Sequence, residues 1–435
     1  MKRQVMTTVA MMMLAVAAMA QEENQFTIDA QLRTRGEYNN GAIYPRNDNQ
    51  DAATFINERA RVSMDFQRGP LELKVSAQHT GMWGQDGMNT ANGRLTMNEA
   101  WAKLNLCDKW FIQLGRQQLC YDDERILGAY DWNVNGNWHD ALRLGYESGS
   151  HQLHAILAMN QNGANRGNYY ESGMPYKALQ GLWYHYQAKS APFGISLLAL
   201  NVGYEQGEPG NGKTEYMQTF GTDVNYKPGA WDLHGAFYLQ TGTTADNLTA
   251  SGLMASVKAG YQISPKWKAS LGFDYLSGED YTGSLGNREY GYRIIKEDAE
   301  ESHAFNPLYG NHHNFYGFMD YFYASAFING LNVGLQDIQA GVDFKASEKT
   351  SLMLNYHYFA AASEVAIEML DKGLGHEVDF QLTTKLMKDV SLKAGYSFML
   401  GTETMDCVKG GDHDSWQDWA WISLNISPRI FITKW

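Results

Sequence analysis

Residues 26–37 read FTIDAQLRTRGE, and apolar and polar side chains alternate strictly from Phe26 to Arg33. Successive side chains of a β-strand point to opposite sides, so Phe26, Ile28, Ala30 and Leu32 share one face. The other face carries Thr27, Asp29, Gln31, Arg33, Arg35 and Glu37. A face with two arginines and two carboxylates cannot meet lipid. The stretch therefore predicts a strand with one apolar and one hydrated face.

The same alternation recurs along the chain, and its polar partner face is typical of a transmembrane β-barrel. The apolar members of these later strands are Ala60, Val62, Met64, Phe66; Leu71, Leu73, Val75, Ala77; Ala255, Val257, Ala259, Tyr261; Trp267, Ala269, Leu271, Phe273; and Leu392, Ala394, Tyr396, Phe398. A soluble β-sandwich, propeller or β-helix also alternates. Segments of about ten residues, aromatics near strand ends and alternating loop lengths favour the barrel.

The connections predict which end faces which side of the membrane. Short turns such as 68–70 and 264–265 are expected in the periplasm, and long loops outside the cell. The long connections are 38–54, 81–94, 117–138, 161–176 and 278–312. We predict an all-β, porin-like, antiparallel barrel of about 18 strands, wide enough for an aqueous lumen. The connection 278–312 is expected to constrict the pore or to form a surface loop.

Composition supports this class. The chain has 435 residues with 26 Tyr, 12 Trp, 43 Gly and only 9 Pro, and its mean hydropathy is -0.43. After residue 20 no apolar run is long enough for a membrane helix. The formal net charge of -13 argues against nucleic-acid binding.

The N-terminus predicts export. Lys2 and Arg3 precede an apolar segment that ends in Ala18-Met19-Ala20, which is typical of a signal peptide over residues 1–20. We expect residues 21–435 to form the barrel in the cell outer membrane, in contact with its lipid. The aromatic strand that ends at Trp435 is expected to be recognised by the outer-membrane assembly machinery.

Several longer motifs extend over most of the chain. They are GRQ at 115–117, DDERILGAYDWN at 122–133, HDALRL at 139–144, FNPLYGNHHNFYGFMDYF at 305–322, GLGHEVDF at 373–380 and KDVSLKAGYSFMLGTETM at 388–405. With these the chain resembles the alginate export family of outer-membrane β-barrels, in its Bacteroidetes-type form. The resemblance implies a passive channel whose basic, arginine-bearing pore carries an anionic poly- or oligosaccharide or related hydrophilic solutes. No room for a plug domain is expected before the strand near Phe26.

The basic residues that we expect to line this pore are Arg33, Arg35, Arg59, Arg61, Lys103, Arg116, Arg125 and Arg143. Guanidinium groups stay charged and match carboxylates bidentately, and rings of them favour anions. Arg116 lies an even number of positions from Ile112 and Leu114, so it shares their apolar strand face. It therefore needs a bulge or a strand end to face the lumen. The alternative is that wall carboxylates neutralise these groups, which would leave a general diffusion porin.

The polar strand faces also carry carboxylates that could neutralise these basic residues. The carboxylates near the arginines are Asp29, Glu37, Asp65, Glu72 and Glu99, and those further along are Asp223, Asp232, Asp274, Asp343, Glu377 and Asp379. We therefore expect a positive zone in the N-terminal third of the barrel that faces a more acidic wall.

Catalytic motifs are incomplete or missing in this chain, which argues against an enzyme. Residues 207–214 match the phosphate-loop pattern, but alternation after Lys213 predicts a strand instead of the required helix. Neither a nucleophile elbow nor H-E-x-x-H occurs, so we predict no catalytic residues, with an outer-membrane hydrolase as the second alternative. We predict no cofactor or metal.

Three weaker sites remain open. One alternative is a calcium site formed by the carboxylates of Asp122, Asp123, Glu124 and Asp131. A transition metal at His303, His312 and His313 is another. Among Cys107, Cys120 and Cys407, a Cys107–Cys120 bridge and free thiols are both compatible with the sequence.

Overall fold

The computed structural model describes residues 24–86, 95–164, 166–170, 176–280, 299–322, 333–365 and 370–435. The predicted signal peptide, residues 1–20, lies outside the described residues, as does 281–298 of the predicted long connection.

Strands of one sheet make up nearly all of the regular structure. The first eleven are β1 Asn24–Asn40, β2 Ala53–Arg68, β3 Leu71–Met82, β4 Leu95–Cys107, β5 Trp110–Gln117, β6 His139–Ser148, β7 His151–Met159, β8 Ala178–Gln187, β9 Phe193–Gln206, β10 Lys213–Tyr226 and β11 Trp231–Thr243. The others are β12 Thr249–Ala250, β13 Leu253–Ser264, β14 Trp267–Leu276, β15 Glu301–Ser302, β16 Leu335–Lys345, β17 Thr350–Ala360, β18 Gly373–Met387, β19 Val390–Gly401, β20 Gln417–Ile426 and β21 Arg429–Lys434. The helix α1 spans Glu403–Lys409, and two 3-10 helices span Arg166–Asn168 and His312–Asn314.

The wall is a closed barrel of eighteen antiparallel strands. β12 and β15 are two-residue pieces that pair parallel with each other in the connections. β20 and β21 are the two halves of one wall strand, because both pair with β1 on either side of Pro428. Proline has no N–H for the ladder, which explains the break at that position. The pairing of β1 with β2 and with β20–β21 closes the sheet, so the predicted fold class is confirmed.

The outer face carries the apolar band that the alternation predicts. Leu114, Val257 and Leu271 expose 62%, 63% and 68% of their surface. Aromatic pairs follow the short-turn end, among them Trp110–Tyr146 at 5.0 Å and Trp231–Tyr261 at 4.8 Å between ring centroids. Such girdles mark the membrane interface. Within the described part of the chain, no helix is long and apolar enough to cross a membrane.

Two long connections fold into the barrel. Loop A is defined as residues 118–138, between β5 and β6, and loop B as residues 303–322, between β15 and β16. The loops join in a short parallel bridge between Leu127 and Tyr309. The N–H of Tyr309 donates to the carbonyl of Ile126 at 3.0 Å, and the N–H of Gly128 donates back to Tyr309 at 3.1 Å.

The hydrophobic core lies inside the barrel, between these loops and the wall. Leu119 and Leu127 of loop A are buried, as are Phe305 and Met319 of loop B. The strand count alone predicts an aqueous lumen, and this is wrong at the level of the two loops, where the lumen is packed. Open space remains toward the short-turn end, which we assign to the periplasm.

The glycine-rich segment 207–212 is a turn. Gly207 and Gly210 take φ of 85° and 92°, which glycine adopts without strain. Lys213 begins strand β10. A phosphate loop needs a helix to begin at this lysine, so the segment is not one.

Candidate functional site

Loop A is fastened to the wall by charged side chains. The Arg125 guanidinium, 3% exposed, lies 3.3 Å from the Asp274 carboxylate and 3.1 Å from that of Asp123. It also donates to the hydroxyl groups of Tyr316 and Ser256, both at 3.1 Å. A buried charge is stable only when paired in this way. Arg125 is therefore a fastener between loop A, loop B and the wall, and not an open anion site.

Asp122 makes a second attachment. Both of its carboxylate oxygens accept the Trp183 indole N–H at 3.1 Å. Burial raises the pKa of Asp122 to about 6, with a smaller contribution from the charge of Asp223. The docking of loop A is thereby linked to the protonation of one carboxyl group.

Loop B covers the acidic wall. The Met319 N–H donates to Glu377 at 2.8 Å, and the Phe318 N–H lies 3.4 Å from Asp379. Neither acid exposes any surface. Asp337, also fully buried, binds His357 at 2.9 Å. Loop B thus shields Glu377 and Asp379 of the predicted acidic wall from the open lumen, whereas Asp232 is part-exposed and Asp343 is exposed.

This cluster is not arranged as a hydrolase triad. The Ser397 hydroxyl donates to Asp379 at 2.6 Å, whereas the His357 ring contacts Asp337 and Asp379. A serine nucleophile needs a hydrogen bond to the histidine that deprotonates it. Ser397 has a carboxylate in that place, and it is fully buried.

A luminal cavity of about 580 Å³, which we call the chamber, is the opening that bears most directly on function. It extends from Ser391 and Asn425, near the short turns, to Trp132 of loop A and His313 of loop B. Ligand pockets in proteins have about 300–1,000 Å³. Its cations are Arg33, Arg35, Lys258 and Lys393, its amides are Gln31, Asn311, Asn314, Asn355, Gln381 and Asn425, and among the described lining residues its carboxylate is that of Asp131.

Asp131 joins the arginines to loop A. Its carboxylate lies 2.7 Å from Arg59 and 3.4 Å from Arg33. Arg59 is fully buried, while the Asp131 side chain is 57% exposed to the lumen. Arg33 also donates to the carbonyls of Asp131 and Asn133 at 2.6 and 3.1 Å. Arg35 binds Glu37 at 2.8 Å and lies 4.0 Å above the Trp132 ring.

Two chamber lysines are open. Lys258 of β13 and Lys393 of β19 are exposed to the lumen, and neither makes a hydrogen bond or ion pair with a described residue. Their luminal direction follows from parity with buried Ser256 and Ser397. The chamber therefore presents uncompensated positive charge, although the whole chain is acidic.

The other predicted pore residues lie apart from the chamber. Arg61 donates twice to the Gln78 side chain, at 2.9 and 2.6 Å. Lys103 lies 3.5 Å from Glu72. Arg143 donates to Gln113. All three lie on the luminal faces of their strands, but Lys103 and Arg143 belong to β4 and β6, beside the Phe111 ring.

The prediction that Arg116 lines the pore is wrong. Arg116 pairs with Asp140 across β5 and β6, on the face that also carries the lipid-exposed Leu114. The two groups form a bidentate ion pair with both distances 2.9 Å. No bulge reverses the parity of Arg116, so it stays on the outer surface next to Trp138.

The alternative metal sites are not assembled as the sequence suggests. The four loop A carboxylates bind separate partners, with Glu124 accepting the Ala129 N–H at 3.0 Å. His303 contacts Ser251, whereas His313 stacks on Trp132 at 4.1 Å and binds Asp320; the side chain of His312 lies outside the described part. Cys107, Cys120 and Cys407 are free thiols, so the Cys107–Cys120 bridge is not formed.

Sequence reasoning missed two elements of the site. The chamber amides fall on polar strand faces, so parity could have identified Gln31, Asn355 and Gln381. The role of Asp131 as an internal partner of the arginines had no signal, because strand parity does not determine the path of a loop.

The closed barrel, the apolar outer band and the polar chamber define an outer-membrane channel for hydrophilic solutes. Residues 24–367 match the family model described as alginate export. The match covers most of the chain, and the protein belongs to this family. No curated protein sequence matches the chain.

Solved structures share the fold at low sequence identity. Acinetobacter baumannii OccAB4 has a TM-score of 0.62 at 10% identity, covering 94% of this chain and 99% of that chain. Pseudomonas aeruginosa OccK9 (OpdG) has 0.61 at 12%, covering 93% and 98%. A BenF-like porin from Pseudomonas fluorescens Pf-5 has 0.60 at 11%, covering 93% and 99%. At such identities the likeness concerns the fold alone, and with the family match it points to a channel and not to an enzyme.

Proposed function

We propose that this protein is a passive outer-membrane channel for anionic poly- or oligosaccharides whose sugars bear carboxylates, as in alginate. The observation that carries the proposal is the pair of open cations, Lys258 and Lys393, in a chamber that also contains Arg33. Loop B covers Glu377 and Asp379 of the same wall. An anion in the chamber therefore meets donors and little opposing charge.

The chamber chemistry suits a sugar acid. Carboxylates pair with lysine and arginine, and amide side chains donate to and accept from hydroxyl groups. The surplus of amides over charges favours weak, repeated binding, which a conducting pore needs so that each bound group is released again.

A general diffusion porin is the second candidate. A cavity of about 620 Å³ at the short-turn mouth is lined by charges of both signs, including Asp29, Arg61, Asp389 and Arg429. Asp29 and Arg429 lie 2.9 Å apart. A mouth of this kind shows little preference between small anions and cations.

Blockade of single channels by short oligomers of hexuronic acid tests the proposal. We expect brief current blockades in the wild type. Because Lys258→Gln/Lys393→Gln removes the two open charges, we expect its blockades to be several-fold shorter. Lys109→Gln/Lys189→Gln changes the charge equally at exposed short turns and is the matched control. Equal blockade by neutral oligosaccharides, or no effect of the chamber variant, would support the general porin.

The remaining expectations belong to the same proposal. Residues 1–20 are a signal peptide that is removed on export, and residues 21–435 are assembled into the outer membrane by its assembly machinery. N-terminal sequencing of the protein from outer membranes tests the cleavage, with Gln21 as the expected first residue.

A further inference from the structure

A second concave site lies at the short-turn end, away from the chamber arginines. It has a volume of about 410 Å³ and lies beside the turns 265–266 and 346–349 and the end of β18. Five lysines line it against two carboxylates, Asp343 and Glu348. The lysines are Lys266, Lys268, Lys345, Lys349 and Lys385. We call this site the lysine cleft.

Most of this positive charge is not compensated. Lys268 binds Asp232 at 2.8 Å, and Lys345 binds Glu348 at 3.1 Å. Lys266, Lys349 and Lys385 are exposed, and none of them makes a side-chain hydrogen bond or ion pair with the described residues. Like charges held together in a concavity raise the local concentration of anions.

The cleft faces the lumen and not the lipid. Lys268 has the parity of buried Asp274, and Lys345 has that of buried Asp337. The outward residues of the same strand ends are Trp267 and Phe344, which stack at 4.3 Å in the aromatic girdle. An anion in aqueous solution therefore reaches these lysines more directly than a lipid headgroup does.

Strand pairing connects the cleft to the chamber. Lys385 pairs with Ser391, a chamber residue, and Thr383 of the cleft pairs with the chamber cation Lys393. The two cavities thus adjoin across β18 and β19. The connection 402–416 at the long-loop end differs in charge, since it carries Glu403, Asp406, Asp412 and Asp414 against Lys409.

We propose that the lysine cleft is a periplasmic docking site for carboxylate-bearing oligosaccharide chains, from which they pass to the chamber. The inference rests on the proposed function. It adds a second binding site and the side of the membrane from which the chains enter. A linear chain with a carboxylate on each sugar can contact Lys385 and Lys393 at once. Capture is then faster from the short-turn side than from the acidic loops.

Sided blockade in bilayers tests this, with hexuronate oligomers added to one side of channels in known orientation. Lys349→Gln/Lys385→Gln should slow the blockade rate from the short-turn side by about tenfold, with little change from the loop side. Lys109→Gln/Lys189→Gln, with equal loss of charge on distant turns, should leave both rates unchanged.

The outcomes separate the two proposals. An unchanged short-turn rate in the cleft variant, or an equal loss in the control variant, overturns the docking site. A loss that appears only in bilayers with anionic phospholipid assigns the cleft to lipid and overturns it too. The proposed function is judged separately, by the blockade duration in the chamber variant.

Discussion

At the residue scale, Asp131 has the most informative position. Its carboxylate lies between Arg33 and Arg59, in the chamber where we expect the carboxylates of the solute to bind. The protein thus supplies an internal anion that competes with the solute for the Arg33 guanidinium, whereas Arg59 is fully buried. Because the Asp131 side chain is more than half exposed, this competition is worth about 1 kcal/mol or less.

We predict that Asp131→Asn strengthens blockade by hexuronate oligomers about two- to fivefold, since it releases the chamber residue Arg33 from its internal partner. Arg33 still donates to the carbonyls of Asp131 and Asn133, so loop A stays docked. Single-channel blockade measures the effect. The control is Asp140→Asn, which removes an outer-surface carboxylate paired with Arg116. Weaker blockade in Asp131→Asn would contradict the prediction.

Individual residues also show what the sequence could predict. Alternation placed Arg33, Arg59 and Arg143 on luminal faces, because strand parity is fixed by geometry. The same rule indicated that Arg116 points outward, and the expectation of a compensating bulge was wrong. The partner of Arg33 and Arg59 was not predictable, since Asp131 reaches them from a loop that is 98 and 72 residues away in sequence.

At the scale of elements, loops A and B act as one inward unit. A bridge joins the two loops to each other. Arg125 of loop A contacts Tyr316 of loop B and Asp274 of the wall, and an apolar core packs both loops against the wall. Sequence motifs in 122–133 and 305–322 suggested that these loops matter, but not that they pair. Their pairing depends on contacts between distant segments, which hydrophobic periodicity does not encode.

We predict that Arg125→Met loosens both loops and raises the mean single-channel conductance. Removal of one partner leaves the buried Asp274 carboxylate unpaired, at a cost of about 3–5 kcal/mol. Hydrogen exchange in residues 303–322 should become faster. Arg125→Met/Asp274→Asn removes both charges and should restore much of the protection. If the single variant has the exchange rates and conductance of the wild type, Arg125 does not hold the loops to the wall.

We predict that loop A docks more tightly at pH 5 than at pH 7. Burial raises the pKa of Asp122 from 3.8 to about 6, so the docked loop binds the proton more strongly than the free loop does. Docking therefore weakens as pH rises between about 4 and 6, and changes little above that range. Hydrogen exchange of residues 118–138, corrected for intrinsic rates, measures this. In Asp122→Asn the pH dependence should largely vanish, and its persistence would assign it to another group.

At the scale of the whole molecule, net charge and pore charge have opposite signs. The chain carries -13, yet cations outnumber carboxylates in both the chamber and the lysine cleft. Near the chamber, Arg125 pairs with Asp274, and loop B covers Glu377 and Asp379. The barrel and its strand number followed from alternation and segment length. The packed core inside the lumen did not, because the apolar residues of loops A and B could equally have formed an external cap.

The central claim is that permeation through this barrel favours anions. The reversal potential of the wild-type channel under a KCl gradient tests it most directly. We predict a potential of the sign that chloride-selective permeation produces, reduced toward zero in Lys258→Gln/Lys393→Gln. A wild-type potential at zero, or of the sign for potassium selectivity, would contradict the account.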